Sequence, residues 1–389
     1  MEPKIRFKGF EGEWKAPLFS EMVERISASG QAGMLPGVEF EDIASGEGCF
    51  NKNIYQKECH KYGKLFYEGD ILFGKLRPYL KNINLADFNG VAIGDFWVLR
   101  SKGLDEKYLY TLVNSESFLK VANISSGSKM PRADWNLVST TKFVVPSTKD
   151  EQKAIGKYFT SLDSQISAST SRLASLKQMK AASLQAMFPQ EGETVPKIKF
   201  KGFEGEWKKV KFGTLLKECT DKSTSEDEDI LLSSAINGVF LNSELFGHQR
   251  GRSNIGYRKI KRNMLILSAQ NLHLGNANVN LRFEHGLVSP AYKIYDLYNV
   301  LPEFMYHWIK REETKKFFLD ATTAGASLCR KNIVWTDLYK QNILLPKSDT
   351  EQQAIATYFT SLDRQISLQS QRLEKLKQIK SACLDKMFV

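Results

Sequence analysis

Two long stripes of hydrophobic residues share one spacing. Ile155, Phe159, Leu162, Ile166, Leu173 and Leu176 stand at steps of four, three, four, seven and three, and Ile355, Phe359, Leu362, Ile366, Leu373 and Leu376 repeat them. Residues so spaced occupy the a and d positions of a heptad, with one polar layer at Ser169 or Gln369. Each stripe opens on S/T-x-x-E, Thr148 with Glu151 and Ser348 with Glu351, a capping box that satisfies orphan amide donors at a helix start. The pattern predicts helices that run to about residues 187 and 387; at ~1.5 Å per residue each is roughly 50 Å long. Ahead of each lies an apolar strand stopped by proline, Phe143-Val144-Val145-Pro146 and Ile343-Leu344-Leu345-Pro346.

The stripes belong to a wider duplication. EQKAIGKYFTSLDSQIS (151–167) returns as EQQAIATYFTSLDRQIS (351–367), and KIRFKGFEGEWK (4–15) as KIKFKGFEGEWK (197–208). Trp135 and Trp335 each precede the stopping proline by eleven residues. Between the repeats the halves differ. Lys64 to Leu76 carries β-branched and aromatic residues around a Gly69-Asp70 turn, and Val91-Ala92-Ile93 and Phe96 to Leu99 read as strands. Amphipathic helices are expected near Glu106 to Ala122 and Pro302 to Leu319. The expected fold is α+β: two globular mixed α/β domains (1–147 and 190–347), each followed by a long helix (148–189 and 348–389). The linker Pro189 to Pro196 is short, so pairing of the equal stripes makes the helices an antiparallel coiled coil. That would place a domain at each end of a pseudo-two-fold rod.

Composition narrows the function. The chain carries a formal charge of +11, which favours a polyanionic partner such as nucleic acid. Five scattered cysteines without C-x-x-C spacing fit reduced cytoplasmic thiols. No apolar run is long enough for a bilayer, and the N-terminal residues lack the apolar core of a secretory signal. Phosphate-loop, G-x-G-x-x-G, H-E-x-x-H and G-x-S-x-G motifs are absent, and the five histidines show no ligand spacing, so no catalytic or metal residue is assigned.

Two unlike domains, each closed by a proline-stopped strand and then EQ-x-AI-x-x-YF-x-x-LD-x-Q-I, resemble the DNA specificity subunit of Type I restriction-modification systems. The resemblance covers the whole chain. It implies two target-recognition domains, each reading one half of an asymmetric, bipartite double-stranded DNA target. It also implies a helical spacer that docks two modification (methyltransferase) subunits, with motor-nuclease restriction subunits joining that core. The subunit itself would be non-catalytic. S-adenosylmethionine would then belong to the modification subunit, and ATP and Mg to the restriction subunit. A stand-alone DNA-modifying or DNA-cleaving enzyme and a DNA-independent scaffold are the competing readings.

Affinity for a duplex comes from cations on phosphates, and specificity from side chains at base edges. In the first domain the candidates are Lys75, Arg77, Tyr79 and Lys81, with Ser128, Lys129 and Arg132 in a second loop before Trp135. Arg77 has the fork that suits guanine. In the second domain, Ser268, Gln270 and Asn271 fall at the matching strand end, and Gln and Asn suit adenine. Arg250, Arg252, Arg258, Lys259 and Lys261, followed by Arg262, form a dense basic run, and Arg330 and Lys331 match the second loop. Trp135 and Trp335 are expected to pack rather than stack on bases. Tyr158, Phe159, Tyr358 and Phe359 open the helices as anchors to the domains or contacts for the modification subunit.

Overall fold

The computed structural model describes residues 3–33, 35–57, 59–124, 130–246, 253–323 and 331–388. The chain divides into two compact units, Met1–Leu173 with Gln369–Val389, and Ala174–Leu368. Each unit therefore holds part of both long helices.

In the first unit the chain forms α1 (Phe19–Met22), β1 (Val23–Ile26), β2 (Ser29–Gln31), β3 (Gly37–Glu39), β4 (Tyr62–Phe66), β5 (Ile71–Gly74), β6 (Ile83–Leu85), β7 (Gly90–Ile93) and β8 (Phe96–Ser101). Helices α2 (Glu106–Val113), α3 (Glu116–Ala122), α4 (Trp135–Thr140) and α5 (Lys149–Ala186) follow. One sheet has the order β1-β8-β5-β6 and the other β2-β4-β7-β3. The predicted Gly69-Asp70 turn joins β4 to β5, but these strands enter different sheets, because β8 and β6 occupy the two edges of β5. Asp70 fixes the turn: it accepts the Tyr67 amide at 2.8 Å and both arms of Arg100 at 2.8 and 2.7 Å.

The second unit contains β9 (Lys208–Lys211), β10 (Leu216–Cys219), β11 (Leu232–Ala235), β12 (Gly238–Leu241), α6 (Asn242–Phe246), β13 (Arg258–Lys261), β14 (Leu265–Ser268), β15 (Ala277–Val279), β16 (His285–Val288) and β17 (Tyr292–Leu297). Then come α7 (Pro302–Ile309), α8 (Glu312–Leu319), α9 (Trp335–Lys340), β18 (Asn342–Leu345) and α10 (Asp349–Met387). Its sheet β10-β17-β14-β15 repeats β1-β8-β5-β6. The proline-stopped strand is a regular pair, β18 with β9, only here; in the first unit it is reduced to the bridges Lys15–Val145 and Leu18–Lys142.

Each expected amphipathic helix is two. Ser115 interrupts the first: its hydroxyl accepts the Phe118 amide at 3.3 Å and starts α3, the role serine prefers over a helix interior. Lys310-Arg311 divides the second into α7 and α8.

The repeated Glu-Gln pair joins each long helix to its unit. Glu151 accepts Nε and Nη2 of Arg6 at 2.7 and 2.9 Å and the Trp14 indole at 3.3 Å. Glu351 accepts the Trp207 indole at 3.1 Å and lies 3.2 Å from the Lys199 ammonium. The capping boxes thus close on the hydroxyl side alone among the described residues: Glu151 and Glu351 amides donate to Thr148 and Ser348 at 3.4 and 3.1 Å. The carboxylates are taken by the repeated arms 4–15 and 197–208, through Arg6 and Trp14 in one and Lys199 and Trp207 in the other, which explains why arm and helix start recur together. Gln152 accepts the Asp105 amide and donates to Pro146, both at 3.0 Å; Gln352 accepts the Leu301 amide at 3.0 Å. Helix α5 then crosses α2 at glycine range, since a Cβ at Gly156 would lie 2.6 Å from the Tyr108 nitrogen. Buried Ala356 holds the matching place in α10.

The stripes do two jobs. Ile155, Phe159 and Leu162 lie in the core of the first unit, and Ile355 and Phe359 in that of the second, so the helix starts pack on their own domains. Beyond them the helices meet each other, with partners in reversed order. In the first unit Tyr158 meets Cys383, Asp163 meets Lys380 at 2.5 Å, and Gln369 donates to the Ser169 carbonyl at 3.1 Å. In the second, Lys180 meets Asp363 at 2.5 Å and Ser183 meets Tyr358 at 2.9 Å. Leu162, Ile166, Leu173, Leu176 and Leu362 are buried, while Ile366, Leu373 and Leu376 are half-buried. Phe388 closes the first core against Tyr108 and Phe159, and Phe188 the second against Phe304 and Phe359. Just before these aromatics, the Lys386 carbonyl accepts the Ile5 amide at 3.1 Å and the Ala186 carbonyl the Ile198 amide at 2.9 Å.

Candidate nucleic-acid interface

In the first unit β5 ends at Gly74 and the chain enters a 3-10 turn, Pro78–Leu80. Arg77 and Lys81 flank it with φ of 48° and 54°. Both are left-handed positions that cost a non-glycine residue ~1 kcal/mol. Proline at the first helical position and a ring of backbone bonds hold the turn there. The Arg77 amide donates to Pro131 at 2.8 Å, the Ala133 amide to Lys75 at 2.9 Å, and the Lys75 amide to Asp95 at 2.9 Å. Three loops distant in sequence are thus sewn together, and Lys75, Arg77 and Arg132 share one place.

Their charges are not equivalent. Asp95 accepts from Arg132 at 3.0 and 3.3 Å and lies 3.5 Å from the Lys75 ammonium. Burial pushes the Asp95 carboxyl up, but Arg132 and Lys75 outweigh it and hold it below the usual range. Lys81 meets Glu116 at 3.4 Å. The Arg77 guanidinium has no ion pair among the described residues. Arg77 is half-buried and Tyr79 is 55% exposed, so the turn sets an arginine beside an open ring.

The second unit places a turn at the same distance from its strand, with other chemistry and a cap residue, Asn271, at φ −121° in place of the left-handed Arg77. After β14 the chain passes Ala269, Gln270 and Asn271 into a 3-10 turn, Leu272–Leu274, ended by Gly275 at φ 92°. Asn271 holds the cap position of Arg77, and Gly275 that of Lys81. Ser268 is buried and its hydroxyl accepts the Asn271 amide at 3.3 Å, so it shapes the turn. Gln270 and Asn271 line a cleft of about 320 Å³ with Ser233, Asn276, Tyr257 and Tyr292. The lining is rich in amides and hydroxyls, without a charged side chain among the described residues.

The expected basic run is neutralised at two of its four described cations. Lys259 pairs with Glu228, whose carboxyl is pulled down to about 2 by that lysine and by the Thr224 amide. Arg262 meets Glu284 at 2.7 Å. Arg258 donates to the Thr220 carbonyl at 3.2 Å, while its Nε is buried without a hydrogen bond. Lys261 is exposed. Glu228, 31 residues before Lys259, and Glu284, beyond the next two strands from Arg262, pair with cations that look bare in sequence. Lys331 is half-buried and is joined to the Gln270 turn by no described hydrogen bond or ion pair. Ser128, Lys129, Arg250, Arg252 and Arg330 lie outside the described residues.

Trp135 packs edge-on against Trp97 with the Arg25 guanidinium 4.8 Å above it, and the Lys293 ammonium lies 4.7 Å over Trp335. Both rings are covered by cations of their own unit. Sequence reasoning missed Asp95, Asn276 and Tyr257; the Gly94-Asp95 turn between two strands was the one signal that could have found any of them. Among the described residues no three His, Cys, Asp or Glu side chains gather as metal ligands, and no helix is long and apolar enough to cross a membrane.

Residues 287–378 match the model of the Type I restriction modification DNA specificity domain. Over 120 residues the chain is 24% identical to the Type I restriction enzyme EcoDI specificity subunit of Escherichia coli; that match spans 29% of this chain and 27% of the relative. The Type I restriction-modification S subunit from M. genitalium has a similar fold, with a TM-score of 0.62, 14% identity, and coverage of 100% of this chain and 99% of that one. A chain from a structure of type I R-M complex assembly and conformational transition has a TM-score of 0.50 at 19% identity, covering 97% and 98%. The resemblance to Type I specificity subunits is therefore found in a domain, in a relative and in the fold.

Proposed function

We propose that this chain is the specificity subunit of a Type I restriction-modification system, a non-catalytic protein that selects a DNA sequence for its partner subunits. The observation that carries the reading is the specificity-domain match over 287–378. That stretch runs from β16 through β17 into α10, taking in a wall of the Gln270 cleft and the Glu-Gln helix start. The same helix start opens α5, which supports a second reading domain in the first half.

Each unit reads its own half-site through the turn after its third sheet strand. Arg77 forks onto a guanine and Tyr79 lies against the backbone or a base; Gln270 and Asn271 address an adenine. Because one turn is cationic and the other neutral, the two half-sites differ. Lys261 and Lys331 supply phosphate contacts. Helices α5 and α10 form an antiparallel coil, supported by the reversed order of their partners within each unit, and dock two methyltransferase subunits. Restriction subunits complete the assembly. S-adenosylmethionine, ATP and Mg serve those partners.

The test is enrichment of random duplexes on the purified chain, followed by mapping of methylated bases in cells that express it with its modification partner. One enriched two-part sequence, methylated in both parts, is expected. Binding without sequence enrichment, or insensitive to salt, would overturn the proposal.

A further inference from the structure

In the first unit Arg77, without an ion pair among the described residues, lies beside cations that are already occupied. Asp95 stands at the centre of three loops, its carbonyl bonded to the Lys75 amide and its carboxylate to Arg132 and Lys75. Gly94, at φ 90°, makes the turn that brings it there. The second unit provides an internal control. There the Ala269 amide donates to the Ala291 carbonyl at 3.2 Å, the same backbone link at the same end of the same strand pair. Where the first unit has lysine and aspartate, the second has two alanines. The backbone link does not need the acid, so the acid accompanies the cations.

We propose that Asp95 is a specificity-determining residue that suppresses sequence-independent binding: it holds Arg132 and Lys75 off the phosphates and leaves Arg77 as the cation of this turn that meets DNA. The inference rests on the reading of the turn as a DNA contact. The balance follows from the distances. One carboxylate lies against two cations and is held ionised by them; the four groups sum to +2, and among the described residues Arg77 is the one of the three cations without a carboxylate partner. Every phosphate contact raises affinity for any duplex alike, whereas a fork on a base edge raises it for one sequence. Tying two cations to one carboxylate, and removing one unit of charge, lowers the first kind of binding and spares the second.

The experiment compares the full-length chain, Asp95→Asn, Arg132→Ala and the double variant on the enriched duplex and on a scrambled duplex, across a salt series. Asp95→Asn should bind the scrambled duplex roughly tenfold more tightly at low salt, with a salt slope steeper by about two phosphate contacts at ~0.9 each, and its selectivity should fall by a similar factor. Arg132→Ala alone should change scrambled-duplex binding less than about twofold, a result that needs no change at Asp95. In the double variant at least half of the gain, on a logarithmic scale, should be lost. A different outcome overturns the inference: if Asp95→Asn loses target binding and leaves scrambled binding unchanged, the carboxylate contacts a base itself. A tenfold loss for Arg132→Ala on scrambled DNA would equally refute it. Absence of any preferred duplex for the unaltered chain would instead defeat the functional reading beneath it.

Discussion

Arg77 allows backbone and side chain to be tested apart. Its φ of 48° costs ~1 kcal/mol for any residue but glycine, so Arg77→Gly relieves strain while Arg77→Ala keeps it. Glycine has more freedom to lose on folding, so the net gain of Gly over Ala should be about 0.5 kcal/mol, read as a higher midpoint in urea unfolding. Both variants remove the guanidinium. A fork on guanine discriminates by ~1–3 kcal/mol, so each should lose about 5- to 150-fold in affinity for the target. On a duplex altered in the first half-site the loss should be only the few-fold of a general charge effect. Arg77→Lys keeps the charge without the fork and should resemble Arg77→Ala on the target, not the unaltered chain. Fluorescence anisotropy with labelled duplexes at fixed salt measures all of these. Equal losses on both duplexes would reduce Arg77 to a phosphate contact. Full binding by Arg77→Lys would refute the fork. Recovery of binding in Arg77→Gly would show that the turn's strain, and not the guanidinium, had been the quantity tested.

Three further expectations concern the frame. Glu151→Ala strands a largely buried guanidinium and the Trp14 indole, so the first unit should lose ~3 kcal/mol, measurable by tryptophan emission in urea; Glu351→Ala, whose carboxylate holds the Trp207 indole and one lysine in place of a two-armed arginine, should lose less, and a loss below ~1 kcal/mol at Glu151 would contradict the anchoring role. Gly156→Ala pushes a methyl group to 2.6 Å from the Tyr108 nitrogen and should cost about 1–3 kcal/mol, whereas Ala356→Gly in the second unit should cost about 1 kcal/mol; a neutral Gly156→Ala would mean that α5 can move off α2. Buried His307 is held neutral, its pKa lowered to about 3, first by desolvation and then by Lys180. Asp363 lies 3.9 Å from its Nδ1, too far for a hydrogen bond, and is already paired with Lys180. The folded state binds fewer protons there, so this contribution is fully present above pH 6.5 and is lost as pH falls toward about 3. His307→Asn should flatten that part of the stability profile, and an unchanged slope would exclude His307 as its source.

The sequence made the periodic parts plain. A stripe with a cap and a stopping proline identified α5 and α10, and the copied segments identified the two-part plan. It hid whatever depends on distant partners. The Glu151 carboxylate serves Arg6 and Trp14, more than a hundred residues away, so a local capping box was the natural reading and only half of it forms. Glu228 cancels Lys259 in the same manner, which thinned a run that looked uniformly basic. Ser115 was absorbed into an amphipathic pattern that it breaks, because hydrophobic spacing continues across α2 and α3 while the backbone does not. The Arg77 turn was found as a cluster of cations. Its left-handed flanks and its stitching to Pro131 and Asp95 depend on φ values and loop pairings that composition does not encode.

The bond from the Ile5 amide to the Lys386 carbonyl matches that from Ile198 to Ala186, yet a peptide links only the second pair directly, through the residues between 186 and 198. Covalent continuity there adds nothing to the local geometry that the first unit lacks. A gene rearranged to begin near residue 196, with Phe388 led back to Pro3 through a linker as long as 189–196, would encode the same two units with every contact in each retained. In such a chain each unit is expected to close on the same pair of backbone bonds, whichever half is translated first.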